Sequence, residues 1–220
     1  MNNSQQSGRR SAGAARTTER SRTRRAELIA TGRELFSHQS YDALSMDEIS
    51  QRAGVAKGLI YYYFTNKRGY YLAVIEHAVD ELVARATGGT DLPRTTRVHR
   101  TLDGYLRYAQ HNRAAYRTIV TGGVGHDVEV VAIRDKVRRE MLTAIARGAW
   151  GSPDIPPTAR LALTGWLSAV EGVTLDWLDH DEDVPRDTVR ALLGHTLRDT
   201  LHTVETFEPR YPAPPESFGA

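Results

Sequence analysis

The chain contains no cysteine, and its lysines are confined to Lys57, Lys67 and Lys136. Without cysteine there can be no disulfide, no thiolate-ligated zinc and no thiol nucleophile. No apolar run approaches the length of a membrane span, and the N-terminus is polar and arginine-rich where a signal peptide would be hydrophobic, so a soluble, cytoplasmic protein is expected. His111 and His126 fit no metal-ligand spacing. Gly122-Gly123-Val124-Gly125 has neither a preceding strand nor the lysine of a phosphate-binding loop, and reads as a flexible connection. No nucleophile-base pair or cofactor fingerprint stands out, so no enzymatic activity, cofactor or metal is expected.

What is present is helical periodicity and a lopsided charge. The 220 residues carry a formal net charge of only +2. Residues 1–25, however, hold Arg9, Arg10, Arg16, Arg20, Arg22, Arg24 and Arg25 against Glu19 alone, while the remainder is faintly acidic. A basic end on such a body fits a polyanionic partner, and equally a solvated tail. The Ser-, Gly-, Gln- and Arg-rich stretch 1–20 has no apolar period and is expected to be a disordered arm.

From Ser21, Leu28, Ile29, Leu35 and Phe36 recur at helical spacing to His38, with Gly32 on the same face. Ser45 with Glu48 makes a capping box for a second helix, and Leu44 with Ile49 a hydrophobic staple. Ala53-Gly54-Val55 ends that helix, because Gly54 can take the left-handed conformation of a tight turn. A short third helix is expected over 56–62. Asn66 can cap a fourth, whose stripe of Tyr70, Tyr71, Val74, Ile75, Ala78, Val79, Leu82 and Val83 runs toward Gly88-Gly89. Beyond a linker at Asp91-Leu92-Pro93, five more helices are expected at 95–110, 112–121, 127–150, 157–180 and 186–206, followed by an irregular proline-rich tail from Pro209.

Two short helices joined by a glycine turn form the pattern of a helix-turn-helix. On the second of them Ile60 and Phe64 face inward, while Lys57, Gly58, Tyr61 and Tyr62 lie on the free face and Leu59 near the tip. Lysine can donate to guanine O6 and N7, glycine lets backbone approach closely, tyrosine hydroxyls reach phosphates, and leucine can touch a thymine methyl. The alternative is a helical hairpin in which Tyr61-Tyr62-Tyr63 are core and interface aromatics. Three successive tyrosines cannot all face one core on a helix, which favours a polyanion partner.

The run Ser45-Met46-Asp47-Glu48-Ile49, Ala53-Gly54-Val55, Gly58, Ile60-Tyr61-Tyr62-Tyr63-Phe64, Asn66-Lys67 and Leu72-Ala73-Val74 resembles the tetracycline-repressor (TetR) family of bacterial regulators in unbroken register over residues 21–85. The resemblance implies an all-α fold, with an N-terminal three-helix DNA-binding domain (21–88) joined by a long fourth helix to a C-terminal helical domain for ligand binding and dimerisation (89–208), then a tail (209–220). It implies groove contacts from Lys57, Gly58, Tyr61 and Tyr62, and phosphate contacts from Ser45, Tyr63 and Lys67, to which the place of Leu59 near the tip of the helix adds a further DNA contact. The departures are Ala56 where the recognition helix usually has a Ser or Thr cap, Ser40 where glycine is common, and Leu59 where a small or polar residue is common.

The resemblance further implies a homodimer joined through the last two long helices, which here carry a face of small residues (Gly165, Ser168, Ala169, Gly172) and a leucine repeat with Leu193, Leu197 and Leu201; both stripes could instead be intrachain core. Residues that could line an effector cavity are Tyr105, Tyr108, Tyr116, Trp166, Glu171 and Trp177, although Glu171 could equally be a salt bridge at the core edge. The function expected is that of a sequence-specific regulator: a dimeric repressor released from a near-palindromic operator by a small-molecule effector, cytoplasmic and nucleoid-associated when bound to DNA. A helical small-molecule enzyme and a non-specific architectural DNA binder are the alternatives.

Overall fold

The computed structural model describes residues 4–39, 41–87, 94–121 and 127–215. Ser40, Gly88-Gly89, the Asp91-Leu92-Pro93 linker, Gly122 to Gly125, His126 and the last residues of the tail lie outside them. Among the described residues there are nine α-helices and no strand: α1 (Ser4–His38), α2 (Met46–Ala53), α3 (Lys57–Phe64), α4 (Lys67–Thr87), α5 (Arg94–His111), α6 (Arg113–Thr121), α7 (Val128–Trp150), α8 (Pro157–Asp179) and α9 (Arg186–Phe207). They form two compact units, Met1–His77 and Ala78–Ala220. The division thus falls within α4 rather than at the double glycine.

Helix α1 begins at Ser4, not at Ser21 where its apolar period starts. Alanine, arginine, glutamine and glutamate are good helix formers, and once the turns around Leu28 and Ile29 are packed, each residue added N-terminally brings one more backbone hydrogen bond. Apolar periodicity marks a face that packs, so a stretch whose sequence carries no apolar stripe gives no such signal.

In the first unit, Leu28, Ile29 and Phe36 of α1, Leu44, Ile49 of α2, Ile60 and Phe64 of α3, and Tyr70, Val74 and Ile75 of α4 form the core. Helices α1 and α4 cross at Gly32, where a Cβ would stand 2.5 Å from Val74 Cγ2 and 2.6 Å from the Tyr70 hydroxyl oxygen. That hydroxyl donates to the Leu28 carbonyl at 2.6 Å. Burial pushes the Tyr70 phenol well above its ordinary pKa, so it stays a neutral donor.

Both ends of α2 are closed as its sequence demands. The Ser45 backbone N–H donates to Glu48 Oε2 at 2.8 Å, and the Glu48 N–H donates to Ser45 Oγ at 3.1 Å. At the other end Gly54 sits at φ 63°, and the N–H groups of Gly54 and Val55 donate to the carbonyls of Gln51 and Ser50. Helix α3 extends to Phe64, beyond the Tyr62 end expected for it. The connection to α4 is a γ-turn on Thr65 (φ 65°, ψ −47°), with the Asn66 N–H donating to the Phe64 carbonyl at 2.6 Å. Asn66 Oδ1 accepts from the Gly69 N–H at 2.7 Å, and a Cβ on Gly69 would lie 2.3 Å from the Phe64 carbonyl oxygen. Left-handed backbone at a β-branched residue is strained, and here it lets α4 start directly against the end of α3.

In the second unit α8 packs against α9, and α5 against both. Leu102, Leu106, Leu163, Trp166, Val170, Trp177 and Leu178 share one buried cluster with Leu193, Leu197 and Leu201. The leucine repeat of α9 is therefore internal to the unit, and its three leucines are not free for a second subunit. The Trp166 indole N–H donates to the Leu193 carbonyl at 3.1 Å and that of Trp177 to the Val184 carbonyl at 2.7 Å. The tail folds back on α7, where the Trp150 indole N–H donates to the Pro212 carbonyl and its ring meets Tyr211 edge-on.

The crossing at Gly32 yields a stability prediction. Gly32→Ala replaces helical glycine with the best helix former, a gain of about 1 kcal/mol on propensity alone. The crowded Cβ outweighs it, because overpacking costs about 1–3 kcal/mol and both neighbours belong to the core. Urea unfolding of the first unit should show a net loss; a gain in stability would mean the crossing is looser than described.

Candidate nucleic-acid interface and cavity

Inside-outside sorting of α3 is set by its packing. Ile60 and Phe64 are buried, which turns Tyr61 and Tyr62 outward at 40 % and 78 % exposure. Gly58 is exposed, Lys57 and Leu59 are half-buried, and Ala56 stands at the N-cap with no side-chain hydrogen bond to the helix. The uncapped N–H groups are one consequence of alanine at this position. Tyr63 turns back into the unit, where its hydroxyl accepts from Ser21 Oγ at 3.2 Å.

Lys57 Nζ donates to Asp47 Oδ2 at 2.9 Å, and this hydrogen bond raises the lysine pKa above its ordinary value. No local pattern in the sequence pairs Asp47 with Lys57, which lies ten residues away on another helix. Both groups face solvent, so the pair is weak and exchangeable. Ser45 is exposed at the cap of α2. Lys67, the first residue of α4, has its ammonium 4.4 Å from the centre of the Tyr41 ring. Lys57, Gly58, Tyr61 and Tyr62 thus share α3, with Ser45 and Lys67 opening the helices on either side of it in sequence.

Gly58 is informative because nothing in the fold requires it. A Cβ there would meet nothing within 4 Å, and its φ is not left-handed. A helical glycine without a packing reason forgoes up to about 1 kcal/mol relative to alanine. Gly104, Gly148, Gly165 and Gly172 are equally open, but Gly58 is the one on the outer face of α3, where a bare backbone permits close approach by a ligand. Gly58→Ala should leave urea stability unchanged or raised while lowering affinity for specific duplex DNA in a mobility-shift titration; undiminished DNA affinity would separate Gly58 from the interface.

The second unit contains a cavity of about 700 Å³. Its deep wall is apolar, with Leu102, Trp166, Leu167, Val170, Leu197 and Leu201. Of the aromatic and acidic residues expected to line it, only Tyr105 and Trp166 do so. Tyr116 lies behind Tyr105, the two hydroxyls 2.6 Å apart. Burial pushes the Tyr116 phenol up to about 12 and Tyr105 well above its ordinary value, so both remain neutral. Glu171 is engaged by Arg138, whose Nε donates to Glu171 Oε1 at 2.9 Å, tying α7 to α8. Trp177 belongs to the core cluster, and Tyr108 packs against it. Helical spacing shows that a residue faces inward but not whether the interior there is filled or empty.

Sequence reasoning also passed over Arg97, Arg139 and Arg147, which line the cavity. The signal was weak, since arginine is abundant throughout the chain. Among the small residues of α8, Gly165, Ala169 and Gly172 are exposed, as is Leu161, at 62 %. Among the described residues no group of histidine, aspartate and glutamate could hold a metal ion, and no helix is long and apolar enough to cross a membrane.

Comparison with known proteins agrees with this geometry. Residues 28–74 match the family described as bacterial regulatory proteins, tetR family, and residues 94–198 match the tetracyclin repressor-like C-terminal domain. The curated HTH-type transcriptional activator FasR of Mycolicibacterium smegmatis is 28% identical over 172 residues, covering 75% of this chain and 77% of its own. The crystal structure of a tetR-family regulator from Streptomyces coelicolor has a TM-score of 0.76 at 27% identity, covering 86% of this chain and 85% of the other. The fold is also that of the regulator FadR from Bacillus subtilis, solved in complex with stearoyl-CoA, with a TM-score of 0.57 and 14% identity over 80% of this chain and 96% of that one. With both its helix-turn-helix and its C-terminal domain matched, the chain belongs to the tetracycline-repressor family of bacterial transcriptional regulators, which bind DNA and respond to small molecules.

Proposed function

We propose that this protein is a homodimeric repressor that docks α3 in the major groove of a near-palindromic operator and is released when an effector enters the cavity of the second unit. The observation that carries the reading is the outer face of α3. Lys57, Gly58, Tyr61 and Tyr62 are turned away from the core, with a glycine that the fold does not need.

Each part has its own support. Lys57, at the first turn of α3, is where a docked helix reaches base edges, and leaving Asp47 for guanine exchanges one charge-assisted hydrogen bond for another. Ser45, Tyr63 and Lys67 are assigned to phosphates, and Leu59 to the groove edge. For Tyr63 this requires only that its half-buried hydroxyl, already accepting from Ser21, donate outward. The exposed small-residue face of α8, Gly165, Ala169 and Gly172, supports subunit association there, because small side chains let a second helix approach closely.

Release by an effector requires unequal affinity for the DNA-competent and incompetent states, and the coupling must be reciprocal. Val83 lines the cavity and lies on α4, the same helix that carries Tyr70 and Val74 in the first unit's core. The stearoyl-CoA complex of FadR supports a small molecule as effector. FasR, named as an activator, makes activation the competing outcome.

Lysine substitutions test the docking. Lys57→Ala should reduce affinity for operator more than for random duplex, by the roughly 1–3 kcal/mol of a specific base contact. Lys67→Ala should weaken both alike, as loss of a phosphate contact does. An equal loss on both duplexes for Lys57→Ala would remove it as a base reader and, with it, the main support for the docking orientation.

A further inference from the structure

Polar groups of the cavity sort into two sets. Those on its deep side are already satisfied within the protein. The Trp166 indole N–H is held by the Leu193 carbonyl at 3.1 Å, and the Tyr105 hydroxyl pairs with that of Tyr116 at 2.6 Å. A ligand body seated there meets hydrocarbon and ring surface from Leu102, Leu167, Val170, Leu197 and Leu201, with no donor or acceptor left to answer. A polar body would lose its water without replacement.

On the solvent side the reverse holds. Arg97 of α5 is half-buried, and Arg139 and Arg147 of α7 are exposed; all three line the cavity, and none has an ion pair or hydrogen bond among the described residues. Arg139 and Arg147 are eight residues apart and share one face of their helix with Thr143, which also lines the cavity. In the same unit Arg113, Arg117 and Arg107 are tied to Glu182, Asp179 and Asp103, whereas Arg100, Arg160 and Arg210 have no ion pair among the described residues and are not part of the cavity lining. Glu140 is the one carboxylate in the cavity lining, so the rim keeps an excess of positive charge.

From this division we infer that the cavity takes an amphipathic anion: an extended apolar body against the deep wall and a carboxylate or phosphate head among Arg97, Arg139 and Arg147. Guanidinium forks match both heads geometrically, through paired N–H donors. The satisfied interior rejects sugars and other polyols, and the rim repels cations. This rests on the effector reading above and names the chemical class that the effector has.

The test uses the full chain and four probes sharing one dodecyl chain, each below its micellar concentration: dodecanoate, dodecyl phosphate, methyl dodecanoate and dodecylamine. Affinity is read by calorimetry or tryptophan quenching. Both anions should bind at least about tenfold more tightly than the ester, with the amine weakest. Arg97→Ala combined with Arg147→Ala should lower anion affinity about tenfold and leave the ester unchanged, while the Lys pair restores most of the loss. The tighter of the two anions identifies the head group, and either order supports the inference. Ester binding equal to that of the anions, or an equal loss for ester and anions in the Ala pair, would overturn it. DNA affinity measured with and without probe keeps the two readings apart. Anion binding that leaves DNA affinity unchanged overturns the effector reading alone. DNA release by the ester or amine, with no binding of either anion, overturns the inference and leaves the effector reading standing.

Discussion

Everything on the outer face of α3 depends on the close approach of α1 to α4 at Gly32. Because that position lacks a Cβ, the Tyr70 hydroxyl reaches the Leu28 carbonyl, and Val74 packs against the α1 backbone. With α4 held there, the γ-turn at Thr65 and the bare Gly69 fix the end of α3 against the start of α4. Ile60 and Phe64 then have one place to go, and the exposure of Tyr61 and Tyr62 is the geometric remainder. The outer face of α3 is thus defined from behind, by residues buried in the unit's own core.

That arrangement separates two tasks that a small helical unit has to perform together. Burial of Ile49, Ile60, Phe64 and Tyr70 supplies stability, since each removes a large apolar side chain from water. The outer face contributes little of it and is free to be chosen for a ligand. Gly58 is the clearest instance, retained at a helical position where alanine would fit. The Lys57–Asp47 pair is another, holding the lysine in place by an exposed interaction weak enough to exchange. The second unit divides its polar groups on the same lines, with the Trp166 indole and Tyr105 hydroxyl satisfied and Arg97, Arg139 and Arg147 without an ion pair among the described residues.

Much of the first unit was legible because its signals are local. A capping box, a left-handed glycine and a hydrophobic staple each act within a few residues, and Ser45, Glu48, Gly54, Leu44 and Ile49 behave as their spacing demands. The γ-turn at Thr65 was illegible, since threonine gives no sign of a positive φ that only the approach of α4 enforces. In the second unit periodicity gave the helices but not their rotational phase within the bundle. The leucine repeat at Leu193, Leu197 and Leu201 turned inward to its own core, and the small residues of α8 outward. Tyr116 and Trp177 fill space where a lining was expected, and Glu171 is closed by Arg138, a partner more than thirty residues away that no local pattern could supply.

The central claim, that α3 reads base edges from two symmetric heads, is tested most directly by methylation interference on duplexes selected from a random pool by the purified protein. Two inverted half-sites should emerge, centred about one or more helical turns apart, with interference at major-groove guanine N7 positions inside each half-site. A selected pool without a shared motif, or interference confined to minor-groove positions, would contradict the account.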